Sequence, residues 1–217
     1  PGDEGRPSAG EWESLVIPIE DITGVILCGG EAQRMGGVIK SLALAKGIPL
    51  VGHVRARLAP QVSRIVISAN AEPMAHAAWG DEVVPDGLRG MGPLGGLLTA
   101  MNQVSTPYTF CCPGDAPLLS RTLVERLGEP MLLASADVAM PHDGEQQQQL
   151  FLLVRTSVRD SLRNYLSDGR RSVLGWTDTL PGVVVDMPDE RAAFLNVNTA
   201  ADIIRAEALL AAIEVAP

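Results

Sequence analysis

The most informative segment of the sequence is TGVILCGGEAQRMGG at residues 23–37, and Lys40 follows it. An apolar run ends at a pair of glycines, and a polar segment with Arg34 leads to a second pair. Glycine lets backbone N–H groups approach an anion closely, and Arg34 and Lys40 add positive charge. The sequence therefore predicts a buried strand followed by a phosphate-binding segment, residues 28–40, which we call the glycine loop.

The spacing within the glycine loop differs from two common nucleotide-binding patterns. The dinucleotide-binding pattern is G-x-G-x-x-G with an acidic residue closing the second strand, but here that strand ends in SAN at residues 68–70. The Walker pattern needs a lysine directly after its last glycine, where Val38 stands here. The observed pattern is L-x-G-G-x-x-x-R-M-G-x-x-x-K. An ordinary turn is disfavoured, because Arg34 and Lys40 have no structural role in one.

Composition and charge narrow the class of protein. The 217 residues, 46% of them hydrophobic, suit one α/β domain with a sizeable core. The net charge of −9 argues against a nucleic-acid-binding surface but is compatible with a basic pocket for one nucleotide. The three cysteines lack the spacing of a zinc site or a disulfide framework, which predicts a cytoplasmic protein. No apolar stretch approaches the ~20 residues of a membrane span, so we expect no membrane partner.

Apolar runs that alternate with stretches of helical periodicity predict the architecture. The predicted strands are residues 22–28, 63–68, 82–84, 108–112, 138–140, 150–154 and 182–185. The predicted helices are residues 49–58, 72–79, 92–104, 157–166 and 199–213, and Thr199 is expected to cap the last one. This alternation predicts a three-layer α/β/α fold with a Rossmann-like, mostly parallel sheet.

Polar residues follow each of the first four predicted strands. Because the carboxyl ends of parallel strands meet at one edge, the glycine loop, Asn70, Asp86 and Asp115 are expected to share a crevice. Asp115 lies between two prolines in PGDAP, residues 113–117. A turn or helix-cap role is the alternative. If the glycine loop binds phosphate, a Mg²⁺ ligand is favoured, because Mg²⁺ takes one or two carboxylates plus substrate phosphates.

The remaining candidates have weaker individual signals. Asn70 is either a turn residue or a ligand of a ribose or a base. Asp86 is either part of a turn or an acceptor for the amine and ring N–H of guanine. Asn196 and Asn198 lie two residues apart in predicted extended chain, so their side chains point the same way. A capping role for them is disfavoured because Thr199 already fills it.

The sequence resembles the bacterial molybdenum cofactor guanylyltransferases. The resemblance extends from about residue 22 to the terminal helix. It rests on ITGVILCGG at 22–30, RMGGV at 34–38, Lys40, GPLGG at 92–96, Asp115 with Pro117, HDGE at 142–145 and FLNVNT at 194–199. The pair Gly29-Gly30 is typical of the guanylyl enzymes, whereas the related cytidylyl enzymes more often have alanine and glycine there. The implied fold is of the nucleotide-diphospho-sugar transferase type.

The resemblance implies that GMP is transferred from GTP to molybdenum-molybdopterin, with Mg²⁺ as cofactor and release of pyrophosphate. The implied GTP-binding residues are Leu27, Cys28, Gly29, Gly30, Lys40, Asn70, Asp86 and Asp115. Asp115 would also bind Mg²⁺, and Asn196 and Asn198 would lie on the molybdopterin side. Arg34, Lys40 and Asp115 would be catalytic, because transfer between phosphates needs neutralised charge and in-line positioning more than a general base.

The expected organisation is an acidic, flexible tail at residues 1–20 and a single domain at 21–217. A nucleotide-binding half would span about 21–120 and an acceptor-binding half about 121–217. Other proteins of the cofactor pathway and the molybdoenzymes that receive the cofactor are implied as partners by the resemblance alone.

Three positions depart from the family pattern. Ile39 stands where the family usually has aspartate, Cys28 replaces alanine, and QQQQ at 146–149 replaces a basic residue and His-Pro. Two alternatives therefore stay open. One is a cytidylyl or sugar-phosphate nucleotidyltransferase of the same fold. The other is a catalytically impaired carrier that binds GTP or the cofactor, which the missing carboxylate at Ile39 keeps open.

Overall fold

The computed structural model of the protein describes residues 15–29, 34–35, 38–85 and 90–215. Its largest element is a seven-stranded sheet in the order β11-β9-β10-β8-β1-β6-β7. The strands are β1 (Ile22–Leu27), β2 (Arg34–Met35), β3 (Val38–Ile39), β4 (Leu44–Ala45), β5 (Ile48–Pro49), β6 (Arg64–Ser68), β7 (Glu82–Val84), β8 (Tyr108–Pro113), β9 (Val138–His142), β10 (Leu152–Arg155) and β11 (Gly182–Asp186). Within the large sheet β10 alone runs antiparallel to its neighbours. The predicted mostly parallel sheet is confirmed.

Helices cover both faces of the sheet. They are α1 (Leu50–Leu58), α2 (Pro73–His76), α3 (Gly92–Met101), α4 (Leu123–Leu133), α5 (Arg159–Ser167), α6 (Val173–Thr177) and α7 (Ala200–Val215). Every residue of β1 is buried because the strand is covered on both sides. Ile26 packs into the core shared with α1 and α4, whereas Val25 packs into the core shared with α3, α5 and α6. This alternation produces the predicted three layers.

The terminal helix α7 packs near the end of the glycine loop. Leu210 belongs to a third apolar cluster with Ala43, Ala45 and Val197. Its amino end has the predicted cap, since the Asp202 backbone N–H donates to the Thr199 hydroxyl at 3.2 Å. The Thr199 backbone N–H donates in return to the Asp202 carboxylate at 2.9 Å. This reciprocal cap holds the segment before α7 at the carboxyl edge of the sheet.

Two parts of the fold differ from the sequence-based expectation. Helix α4 was not predicted, because Gly128 and Pro130 interrupt its pattern. Ile17, assigned to the tail, is only 8% exposed and packs in the core that contains α4. An apolar side chain is stabilised there by leaving water, so the folded part includes Ile17. Residues 1–14 of the predicted tail lie outside the described residues.

Within the described part of the chain, none of the helices is both long and apolar enough to cross a membrane.

Candidate active site

The carboxyl edge of the sheet brings the segments after three strands side by side. Leu27, the last residue of β1, is in register with Ser68 of β6 and with Pro113 of β8. Beyond this register, the backbone N–H of Cys28 donates to the Ser68 carbonyl at 2.8 Å. On the other side, the backbone N–H of Gly114 donates to the Leu27 carbonyl at 2.9 Å. The glycine loop therefore starts between the segments that carry Asn70 and Asp115.

Gly114 allows a close approach between two of these segments. A Cβ atom on Gly114 would lie 2.5 Å from the Cys28 Sγ atom and 3.3 Å from a methyl group of Ile26. Any larger residue would push the Asp115 segment away from the glycine loop. Gly29 lies on the other side, where a Cβ atom would be 3.8 Å from the Asn70 side-chain nitrogen. Gly29 and Asn70 are therefore neighbours at the carboxyl edge of the sheet, as the positions of the strand ends predict.

Asp115 lies largely buried at this edge. Burial raises the pKa of its carboxyl above the usual range, and the nearby Lys40 ammonium partly offsets the rise. The Asp115 backbone carbonyl accepts a hydrogen bond from the Val197 N–H at 2.9 Å. This bond ties the segment after β8 to the segment before α7.

Lys40 connects the glycine loop to the segment before α7. Its ammonium donates to the Asn198 side-chain oxygen at 2.6 Å, across 158 positions of sequence. Val197 is fully buried between the half-buried Asn196 and the exposed Asn198. The side-chain oxygen of Asn196 is buried, and no donor reaches it within the described part of the chain.

The other predicted site residues divide into three groups. Leu27 and Cys28 have buried side chains, so they meet the crevice through their backbone. Burial raises the pKa of the Cys28 thiol to about 12, which keeps it neutral. The backbone of Arg34 pairs with Ile39, directly before Lys40. Gly30, Asp86 and the side chain of Arg34 lie outside the described residues.

The QQQQ run contains a structural residue. The Gln148 side-chain amide is buried and donates to the Asp143 carboxylate at 2.7 Å. The other Asp143 oxygen accepts the backbone N–H groups of Glu145 and Gln146, each at 2.8 Å. Asp143 and Gln148 therefore hold the connection between β9 and β10.

Ser41 and His76 were not predicted to belong to the site. The Ser41 hydroxyl lies 2.9 Å from the His76 Nε2 atom, and both residues are buried. Ser41 directly follows Lys40, which was the one available signal in the sequence. His76 lies 35 positions away, so no local pattern connects the two residues.

A glycine loop, a lysine and a buried carboxylate at the carboxyl edge of a Rossmann-like sheet define a nucleotidyltransferase. The family model of the MobA-like NTP transferase domain matches residues 24–180. The molybdenum cofactor guanylyltransferase of Ralstonia nicotianae is 39% identical over 198 residues, which cover 87% of this chain and 97% of the relative. That of Mannheimia succiniciproducens is 38% identical over 183 residues, covering 84% and 96%. The chain belongs to the molybdenum cofactor guanylyltransferase family.

Solved structures agree with the fold. The molybdopterin-guanine dinucleotide biosynthesis protein A from Archaeoglobus fulgidus superposes with a TM-score of 0.72 at 22% identity, covering 88% of this chain and 99% of that one. The 2-C-methyl-D-erythritol 4-phosphate cytidylyltransferase from Thermus thermophilus superposes with a TM-score of 0.67 at 14% identity, covering 86% and 98%. At these identities the two similarities establish the architecture alone.

Proposed function

We propose that the chain transfers GMP from GTP to molybdenum-molybdopterin, forming the molybdopterin guanine dinucleotide cofactor and pyrophosphate. The observation that carries this proposal is the meeting of Lys40, Asp115 and Asn198 at one edge of the sheet. These residues come from the glycine loop, the segment after β8 and the segment before α7. A phosphate group bound at this point would contact all three segments, which suits its transfer from one substrate to the other.

The nucleotide side of the site would consist of the glycine loop and the neighbouring strand ends. Backbone N–H groups near Gly29 and the ammonium of Lys40 suit the triphosphate. Asn70, beside Gly29, suits the ribose or the base. Gly30, Asp86 and Arg34 are assigned to GTP by the family resemblance. In this proposal residues 21–120 form the nucleotide-binding half and 121–217 the acceptor-binding half.

Asp115 fits a Mg²⁺ ion that arrives with the triphosphate. No group of three or more histidine, cysteine or acidic side chains that could hold a metal occurs among the described residues. One carboxylate is nevertheless sufficient, because Mg²⁺ is often held by one or two carboxylates together with substrate phosphates and water. When bound, the ion would neutralise charge on the phosphates. Asp115 must be ionised for this task, and Lys40 favours that form.

The chemistry asks little of an acid or a base in the protein. The attacking group is a phosphate oxygen that already carries negative charge. Lys40 would offset the charge that builds up as the pyrophosphate leaves, and the fixed backbone around Asp115 would keep the reacting groups in line. Neutral Cys28 has no part in covalent chemistry, since its thiol stays protonated.

The acceptor side would include Asn196 and Asn198. A buried polar atom without a partner is costly in a folded protein. We infer that an N–H donor of the pterin satisfies the side-chain oxygen of Asn196. The Asn198 side-chain oxygen accepts a hydrogen bond from Lys40, so Asn198 would lie close to both substrates.

Two finer statements belong to the same proposal. The free, buried thiols of Cys28, Cys111 and Cys112 support a reducing cytoplasmic location. The molybdoenzymes that accept the finished cofactor would be protein partners.

The test is a titration of the purified protein with GTP and with CTP, with and without Mg²⁺. Pyrophosphate is then measured after molybdenum-molybdopterin is added. We expect tighter binding of GTP and release of pyrophosphate that depends on Mg²⁺. Binding without release would favour the carrier alternative, and tighter binding of CTP would favour a cytidylyl enzyme.

A further inference from the structure

A row of buried polar side chains lies behind Lys40, and the reaction proposed above does not use it. The Ser41 hydroxyl lies 2.9 Å from the His76 Nε2 atom, and the His76 Nδ1 atom lies 2.9 Å from the Glu72 carbonyl oxygen. Ser41 is 1% exposed and His76 is fully buried. Buried polar groups whose hydrogen bonds are satisfied hold their neighbours rigidly, so this arrangement is expected to position the residues next to it.

The direction of each hydrogen bond follows from what the atoms are able to donate. A carbonyl oxygen only accepts, so the His76 Nδ1 atom carries the proton. In the neutral ring Nε2 is then the acceptor, and the Ser41 hydroxyl donates to it. The Ser41 hydroxyl also lowers the pKa of the nearby Cys28 thiol, although burial outweighs this effect and raises that pKa to about 12. The bonds therefore run in one direction, from Ser41 through His76 to Glu72.

The backbone of Glu72 is shaped for its part in this row. Its φ is 48°, in the left-handed region that a glutamate rarely adopts. In this conformation the Glu72 carbonyl accepts the backbone N–H groups of Ala75 and His76 as well as the ring Nδ1–H. Strained backbone of this kind persists only where the surroundings demand it. The acceptor at the end of the row is thus fixed by the start of α2.

The row begins at the end of the glycine loop. Ser41 directly follows the last residue of the loop, inside the short helical turn Lys40–Leu42. That turn is closed by the Ala43 N–H, which donates to the Lys40 carbonyl at 2.9 Å. Fixing the Ser41 side chain therefore fixes the backbone from which the Lys40 side chain extends.

We propose that His76 is a positioning residue for Lys40: through Ser41 it fixes the backbone at the end of the glycine loop and holds the lysine at the GTP phosphates. The inference rests on the proposed function, because the ligand it concerns is GTP. His76 itself touches no substrate in this proposal. A proton relay is a different interpretation of these neighbouring side chains, but the Cys28 thiol, with its pKa raised to about 12, does not release its proton at physiological pH.

Two isosteric replacements of His76 test the proposal, because each keeps a different one of its two hydrogen bonds. His76→Gln keeps an oxygen at the level of Nε2, which accepts from Ser41. His76→Asn keeps an N–H at the level of Nδ1, which binds the Glu72 carbonyl but leaves Ser41 without its acceptor. Ser41→Ala removes the same bond from the other side. Thr109→Val is the matched control, because it removes a buried hydroxyl pair, with Thr156, of the same 2.9 Å length away from the loop.

The measurements are the GTP dissociation constant, the unfolding temperature and the ¹⁵N spectrum of the histidine rings. We expect Ser41→Ala and His76→Asn to weaken GTP binding by about tenfold, the factor for one lost buried hydrogen bond, and His76→Gln to restore most of it. Thr109→Val lowers the unfolding temperature but leaves the GTP affinity unchanged. In the unaltered protein the His76 Nδ1 atom is expected to carry a proton.

Two results would overturn the inference while leaving the proposed function intact. One is a GTP affinity that stays the same in Ser41→Ala and His76→Asn although both unfold at lower temperature, which would make the row purely structural. The other is a His76 ring with its only proton on Nε2. If the unaltered protein did not bind GTP, the proposed function would fall and this inference with it.

Discussion

Replacing Lys40 with methionine removes the cation that connects the glycine loop to Asn198 while keeping a side chain of similar length. The Lys40 ammonium lies 2.6 Å from the Asn198 oxygen and acts electrostatically on Asp115. Because the Asn198 contact is exposed, its loss is expected to cost less than about 1 kcal/mol in the free energy of unfolding. Loss of one charge-stabilising donor at a transition state, by contrast, slows turnover on the order of 10²–10³-fold.

The assay is steady-state release of pyrophosphate with GTP, Mg²⁺ and molybdenum-molybdopterin, beside thermal unfolding of the same preparations. Lys46→Met is the matched control, since Lys46 is the other lysine of the sequence, is exposed, and lies outside the candidate site. Lys40 lowers the pKa of Asp115, so in Lys40→Met the acidic limb of the pH–rate profile is expected to move to higher pH. Turnover of Lys40→Met close to that of Lys46→Met would show that Lys40 does not stabilise the transition state.

Asp115→Asn is expected to abolish transfer and to raise the unfolding temperature at neutral pH, because the raised pKa of the carboxyl means that its ionised form destabilises the fold. This gain in unfolding temperature should shrink as the pH falls below that pKa. An unchanged unfolding temperature at neutral pH would contradict the expectation. Gly114→Ala places a Cβ atom 2.5 Å from the Cys28 sulfur and is expected to cost about 1–3 kcal/mol in urea unfolding. Adding Cys28→Ala should recover part of that loss, whereas additive effects would show that the contact is unimportant. Thr199→Ala removes the cap of α7 and is expected to cost about 0.5–2 kcal/mol by the same measurement, with no change counting against the cap.

The parts of the fold with a strong local signal could be predicted from the sequence. β1 is apolar throughout because both of its faces are covered, and its carboxyl end is marked by glycines. Because the carboxyl ends of parallel strands meet at one edge, Asn70 and Asp115 could be placed where the glycine loop begins. Helix α4 escaped prediction because Pro130 is normally a helix breaker, yet the buried face formed by Leu123 and its neighbours outweighs it.

The contacts that complete the site depend on tertiary structure, and no local pattern encodes them. The bond between Lys40 and Asn198 spans 158 positions, and the bond between Ser41 and His76 spans 35. His76 has the sequence environment of an ordinary helix residue. Its significance appears only when the start of α2 is placed beside the end of the glycine loop.

The most direct test of the central claim is the identity of the product. The protein is incubated with molybdenum-molybdopterin, Mg²⁺ and an equimolar mixture of GTP and CTP, and the product is analysed by mass spectrometry while pyrophosphate is counted. We expect molybdopterin guanine dinucleotide, with one pyrophosphate released for each product formed. A cytosine dinucleotide, or bound GTP with no dinucleotide at all, would contradict it.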